Sequence, residues 1–164
     1  MSNRLNQLLK QYKDIQNAKL WMGENYERKI KKIEEDKMFI RPYPSLHSVA
    51  EIIAHLNAWR KDAILKITKG EGVLKEEMTE NWPSMVSLKE KGWPELWREH
   101  LRGREEFIQS LQNKEDSFLE ETYYDQDFKG RYPYSFLIEG TLAHEIYHLG
   151  QLGIVIKLIK ESEP

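Results

Sequence analysis

Apolar residues recur at helical spacing through most of the chain, and four segments carry this spacing. In the first segment, the apolar residues from Leu5 to Ile15 follow the i, i+3, i+4, i+7 pattern of a helix with one buried face. The pattern breaks near Met22 and Gly23 and resumes at Tyr26. This interruption predicts either a kink or a short second helix.

A second helix is predicted over residues 48–70, after a segment whose prolines at 42 and 44 favour extended backbone. Ser48 and Glu51 have the spacing of a capping box, and Gly70 is a typical residue at a helix end. The apolar stripe of this helix consists of Val49, Ile52, Ile53, Leu56, Trp59, Ala63 and Ile67.

A long loop then leads to a third helix, for which Pro94 is a suitable first-turn residue. Its inward residues are expected to be Trp97, Leu101, Ile108 and Leu111. The stretch 114–133 is acidic, aromatic and irregular, and a fourth helix is predicted over residues 134–160. One domain over residues 1–164 is expected, with an all-α fold: an antiparallel four-helix bundle with long crossover loops.

The composition narrows the class of protein. The 164 residues suffice for one well-packed domain and are too few for two ordinary ones. A net charge of -2 provides no basic surface for nucleic-acid phosphates, so a nucleic-acid partner is not expected. The absence of cysteine excludes a disulfide scaffold, a cysteine-based zinc site and a cysteine nucleophile, and it fits the cytoplasm. No stretch has the apolar length of a membrane span or of a secretory signal.

The candidate metal ligands are histidines on two of the predicted helices. His144 and His148 are four residues apart, so they lie on one helix face about 6 Å apart along the axis. Such a pair is as compatible with a polar helix edge as with a metal site. His55 stands in the middle of the second apolar stripe, and three histidines in the apolar middles of two helices favour a metal. His47 and His100 are predicted to be ordinary surface histidines.

The residues HEIYH at 144–148 match the H-E-x-x-H motif of zinc metalloproteases. The metzincin form needs glycine at 151 and histidine at 154, where this chain has Gln151 and Ile154. No strand is recognisable nearby to bind a substrate backbone. A zinc protease is therefore not predicted, and Glu145 is interpreted as a polar residue at the edge of the buried face.

Two stretches, GTLAHEIYHLGQL (140–152) and SVAEIIAHLNAW (48–59), together resemble the DinB/YfiT-like superfamily of metal-dependent enzymes. The resemblance spans nearly the whole chain and rests on the upstream histidine and the H-x-x-x-H-x-G-Q signature. It implies a four-helix bundle in which His55, His144 and His148 bind one divalent ion: zinc, nickel, manganese or iron. Characterised relatives include thiol transferases that use bacillithiol or mycothiol and a mycothiol-dependent isomerase, and family members often form dimers.

Three imidazole ligands leave a coordination position open, which is the pattern of a catalytic metal. The favoured hypothesis is a metal-dependent transferase that joins a low-molecular-weight thiol to an electrophilic small molecule. The alternatives are a non-catalytic protein, either a metal-stabilised bundle or a stress-response module that binds a small ligand, and a hydrolase that uses metal-bound water.

Two polar residues are candidates for support of the metal ligands. Gln151 is a candidate to orient a metal-bound ligand or a substrate, and a capping or interhelical hydrogen bond is its equally favoured alternative. Glu51 is a candidate to accept the N–H of His55, with a solvated residue at the helix start as its alternative. The fourth helix has more apolar surface than one small bundle needs, which predicts a homodimer whose interface is formed by part of this helix or of the first helix.

Overall fold

The computed structural model describes residues 3–162, and helices dominate this part of the chain. The single domain predicted over 1–164 therefore includes four residues, at 1, 2, 163 and 164, that lie outside the described residues. The helices are α1 Arg4–Asn17, α2 Tyr26–Ile30, α3 Val49–Lys69, α4 Met85–Lys91, α5 Trp93–Leu111 and α6 Tyr134–Glu161. The strands are β1 Thr122–Asp125 and β2 Gly130–Pro133, and short 3-10 turns occupy Glu35–Lys37 and Asp116–Glu120.

The predicted interruption of the first helix is confirmed. The chain leaves α1 after Asn17 and enters α2 at Tyr26. Gly23 lies between them with a φ of 75°, a left-handed conformation that glycine adopts without a steric penalty. The side chain of Asn25 then accepts a hydrogen bond from the backbone N–H of Arg28, which satisfies one free donor at the start of α2.

The predicted ends of α3 are also confirmed. Ser48 Oγ accepts a hydrogen bond from the backbone N–H of Glu51 at 3.2 Å, and Glu51 Oε2 accepts one from the backbone N–H of Ser48 at 2.8 Å. These two bonds complete the capping box. At the other end, Gly70 has a φ of 80° and caps the helix in the left-handed conformation. Because α3 packs against both α5 and α6, its middle turns are buried on several sides.

The expected all-α class needs one correction, because β1 and β2 form an antiparallel hairpin in the stretch predicted to be irregular. Each strand has four residues, which is too short for a recognisable alternation of apolar and polar positions. The hairpin and the start of α6 are attached to the C-terminal end of α3 by two hydrogen bonds. The Tyr124 N–H donates to the Gly70 carbonyl at 2.8 Å, and the Tyr134 hydroxyl donates to the Lys66 carbonyl at 2.8 Å.

The third and fourth predicted helices correspond to α5 and α6, with one difference in burial. Leu101 was expected to face inward but is 42% exposed, because the buried face of α5 runs through Leu96, His100 and Phe107. Helix α6 leaves Ile146, Tyr147 and Ile154 exposed on one side. The sequence also missed the short helix α4. None of the helices within residues 3–162 has the length and apolar character needed to cross a membrane.

Candidate metal centre

The side chains of His55, His144 and His148 meet where α3 packs against α6. The Nε2 atoms of His55 and His144 are 3.0 Å apart, and those of His148 and His144 are 2.9 Å apart. One nitrogen from each ring lies within 4.8 Å of the other two, so the group could hold a single metal ion. His55 and His148 are buried, and His144 is partly buried.

The opposite ring nitrogens of two of these histidines face fixed acceptors. His55 Nδ1 lies 3.3 Å from the carbonyl oxygen of Asn81, and His148 Nδ1 lies 2.6 Å from Oε1 of Gln151. An Nδ1 that faces such an oxygen carries the proton and donates it. The Nε2 lone pairs of His55 and His148 are therefore directed at the common centre.

Burial keeps all three imidazoles neutral. It lowers the pKa of His55 to about 4, with a further contribution from His148. It likewise lowers the pKa of His144 to about 4, with His55 as the second cause, and that of His148 to about 4, with His144 as the second cause. The neutral imidazole is the form that binds a metal ion, so at pH 7 the three rings are ready to act as ligands.

This donor set fits a divalent transition metal. Neutral imidazole nitrogens suit zinc, nickel and iron, and a three-histidine group is a known ligand set for zinc. Without a cation or a shared proton between them, lone pairs on nitrogens about 3 Å apart repel each other. The Asn81 carbonyl and the Gln151 side chain supply the outer hydrogen bonds that commonly orient histidine ligands.

The histidine cluster forms part of the wall of a cavity of about 660 Å³, a size typical of small-molecule sites. The indole of Trp82 covers one side of the cluster. Its ring stacks on His55 with centroids 4.0 Å apart and on His47 with centroids 3.7 Å apart. The remaining aromatic residues that line the cavity are Trp59, Tyr123, Phe128, Phe136 and Tyr147.

Asn81 is a residue of this site that the sequence did not indicate. Besides the contact with His55, its side-chain oxygen accepts a hydrogen bond from Trp59 Nε1 at 2.8 Å. Its amide nitrogen donates to the Glu76 carbonyl at 2.9 Å, which closes the loop on itself. Asn81 thus holds Trp82 and the loop before α4 against α3.

The carboxylate of Glu145 lies in the protein interior and is 1% exposed, so its interpretation as a helix-edge residue is wrong. It lies 2.5 Å from Nη2 of Arg60 and 3.0 Å from Nη1 of Arg104. The Tyr12 hydroxyl donates to it at 3.2 Å. Burial alone would raise the pKa of Glu145, but the two arginines lower it well below its ordinary value. A carboxylate held in this way cannot serve as the general base of a zinc protease.

The prediction that His100 is a surface residue is wrong, because it is 0% exposed. Its Nδ1 accepts from Arg60 Nη2 at 3.4 Å, and its Nε2 donates to Gln16 Oε1 at 3.3 Å. Burial, followed by the nearby Arg60 charge, lowers the pKa of His100 well below its ordinary value. The charged neighbours at 98, 99 and 102 misled the prediction, since residues one and two positions away lie on other faces of a helix.

Glu51 and His47 lie near the cluster but outside it. Glu51 Oε2 accepts hydrogen bonds from Arg41 Nε at 2.9 Å and from the backbone N–H of Ser48. His55 Nδ1 therefore donates to the Asn81 carbonyl and not to Glu51. Burial would raise the pKa of Glu51, but the hydrogen bonds from Arg41 and Ser48 lower it to about 2.

His47 is half-buried and lines the cavity against Trp82, so it is more enclosed than a surface histidine.

Comparison with known proteins connects the histidine cluster to a protein family. The family model of the DinB superfamily matches residues 21–152, a span that contains α2 through most of α6 and all three clustered histidines. A search of curated proteins finds no match to the chain.

Proposed function

This chain belongs to the DinB superfamily, and from that membership and its histidine cluster we propose that it binds one divalent metal ion and is a transferase. The reaction joins a low-molecular-weight thiol to an electrophilic carbon of a small molecule. The observation that carries this proposal is the position of the cluster in the wall of a cavity large enough for a small substrate. A purely structural metal is enclosed by protein ligands and needs no such space.

A divalent ion held by His55, His144 and His148 would supply a positive charge that favours the thiolate form of the co-substrate. In the transfer, the thiolate sulfur forms a bond to the electrophilic carbon. The bond from that carbon to its leaving group breaks, the leaving group departs with the electron pair, and the thiol proton passes to solvent. The sulfur comes from a small molecule because the chain contains no cysteine.

The protein's own residues prepare this site in two ways. Gln151 and Asn81 fix the rings of His148 and His55, so that the ligand nitrogens need no reorientation. Gln151 Nε2 also donates to the Tyr147 hydroxyl at 2.8 Å, which leaves the hydroxyl proton free to donate to a bound substrate.

Two observations favour the transferase over a metal-stabilised bundle and over a hydrolase. Helices α3 and α6 are already joined by the buried Arg60–Glu145 ion pair, so a metal is not needed to connect them. Hydrolysis by metal-bound water would need a general base, and the carboxylate next to His144 in sequence is that of Glu145. Its ion pairs with Arg60 and Arg104 prevent it from acting as a base.

The transferase is tested by incubating zinc-loaded protein with a panel of thiols and monochlorobimane as the electrophile. We expect one thiol to be conjugated faster with protein than without it, and the acceleration to vanish in His148→Ala. The transferase would be rejected in favour of a non-catalytic binding module if no thiol reacts faster and if no thiol changes the visible spectrum of cobalt-loaded protein, since zinc itself has no such spectrum.

We also propose that α1, α3, α5 and α6 form an antiparallel four-helix bundle.

We further propose that two copies of the chain pair through the exposed side of α6. Support comes from the exposed Ile146 and Ile154, with Gly150 open between them. Sedimentation should give a dimer for the protein and a monomer for Ile154→Arg. The control Val86→Arg, at an exposed position on α4, should remain dimeric. A monomeric unmodified protein at high micromolar concentration would contradict the pairing.

A further inference from the structure

Phe128 and Phe136 line one wall of the metal-site cavity, and both contact the ring of Tyr132; we call these three residues the aromatic rim. The rings of Tyr132 and Phe136 stack with centroids 5.0 Å apart, and Phe128 meets Tyr132 and Phe136 edge-on at 5.8 and 6.1 Å. Phe128 is 58% exposed and Phe136 is 47% exposed, and both line the cavity. Exposed aromatic side chains grouped at a cavity are typical of a binding surface.

The hairpin holds Phe128 in this position through a buried carboxylate. Asp125 Oδ1 accepts hydrogen bonds from the backbone N–H groups of Asp127 and Phe128, each at 3.0 Å. The other oxygen of Asp125 forms an ion pair with Lys66 of α3 at 2.8 Å. Phe136 lies in the first turn of α6, directly after β2. The aromatic rim is therefore fixed to the same two helices that carry the histidine cluster.

The described side chains that line the cavity provide no unpaired positive charge for an anionic group on the ligand. Among the described residues that line it, the lysine and arginine side chains are Lys66 and Arg60, and both are buried. Lys66 is paired with Asp62 at 2.9 Å as well as with Asp125, and Arg60 is paired with Glu145. The carboxylates of Glu76 and Asp127 line the same cavity, with Glu76 exposed to solvent.

From the aromatic rim and this charge distribution, we propose that the cavity binds a flat, apolar, uncharged group, namely an aromatic ring carried by the electrophilic substrate. The aromatic rim and Trp82 provide ring faces and edges for stacking, and the buried cations are already neutralised by carboxylates. The assignment of this group to a substrate rests on the proposed transferase. The binding of the ring itself depends only on the cavity.

The test uses two fluorescent probes that share one aromatic skeleton. N-phenyl-1-naphthylamine is uncharged, and 1-anilinonaphthalene-8-sulfonate is the same molecule with a sulfonate. We expect the uncharged probe to bind the metal-free protein about tenfold more tightly than the sulfonate, since no metal charge is then present to attract the sulfonate. The double substitution Phe128→Ala with Phe136→Ala should weaken the uncharged probe about tenfold, and it should leave folding intact because both side chains are largely exposed.

The control is Trp21→Ala, which removes a fully exposed aromatic residue that does not line the cavity, and its affinity for the probe should be unchanged. Equal affinity for the two probes, or equal binding by the double variant and the control, would overturn the inference. Probe discrimination without thiol transfer would support the aromatic site and reject the transferase. Thiol transfer without probe discrimination would reject the aromatic site alone.

Discussion

At the scale of single residues, the three histidines depend on partners that orient their rings. His148 donates to Gln151 on the same helix, and His55 donates to the carbonyl of Asn81 on a loop. The spacing of 144, 148 and 151 places the first of these contacts on one helix face, so the sequence could indicate it. Asn81 lies 26 residues from His55, and no local pattern connects the two. The sequence therefore pointed to Glu51, whose carboxylate is occupied by Arg41 and Ser48.

The contact between Gln151 and His148 leads to the first prediction. Gln151→Ala should weaken zinc binding by about 10- to 100-fold, because the ring of His148 loses the acceptor that fixes its orientation and tautomer. The measurement is a competition titration against a chromophoric zinc chelator. Gln109→Ala, at an exposed position of α5, is the control and should bind zinc like the unmodified protein. Equal affinities for the two variants would show that Gln151 does not support the ligand.

At the scale of the elements, a buried ion cluster joins three helices beside the histidine cluster. Arg60 of α3 and Arg104 of α5 share the carboxylate of Glu145 of α6. The Tyr26 hydroxyl donates to the Glu145 backbone carbonyl at 2.8 Å, which adds α2 to the cluster. Because Glu145 directly follows His144, this cluster sets the position of α6 where its ligands face α3.

Removal of the negative charge of Glu145 should therefore lower the stability of the folded protein. Glu145→Gln leaves two buried arginines without a counter-ion, and we expect the free energy of unfolding to fall by about 3 kcal/mol or more. Glu139→Gln is the control, since it removes an ion pair with Arg4 in which both side chains are about half exposed. That change should cost less than about 1 kcal/mol. Urea denaturation measures both values, and similar losses in the two variants would contradict the account of the cluster.

The helices could be predicted from the sequence, and the short elements could not. The apolar periodicity and the residues Ser48, Gly70 and Pro94 indicated α3 and α5 because capping and helix termination are local effects. The hairpin depends instead on distant contacts, such as the ion pair between Lys66 and Asp125. The buried cluster around Glu145 was missed for the same reason, since its members come from five helices.

At the scale of the whole molecule, buried neutral histidines make stability depend on pH. The pKa values of His55, His144 and His148 are about 4 in the folded protein, below the ordinary value of 6.5, and that of His100 is also lowered. As the pH falls through 6.5, the unfolded chain takes up protons that the folded protein does not. Stability should therefore be constant above pH 6.5 and decline between pH 6.5 and 4.

Urea denaturation of metal-free protein at a series of pH values measures this dependence. The pKa values of Glu51 and Glu145 are also lowered, so these two carboxylates stabilise the folded protein. Their contribution to the free energy of unfolding is lost in a separate range, below pH 4.5. With zinc present, the decline below pH 6.5 should be steeper, because protons also displace the ion. Stability that stays constant from pH 7 down to pH 4.5 would contradict the buried, neutral state of these histidines.

The central claim is that His55, His144 and His148 hold one divalent ion, and elemental analysis of protein purified without an affinity tag tests it most directly. The account predicts about one ion per chain in the unmodified protein and in His47→Ala, which changes a cavity histidine outside the cluster. It predicts loss of the ion in His144→Ala. A metal content that is unchanged by His144→Ala, or that falls equally in His47→Ala, would contradict it.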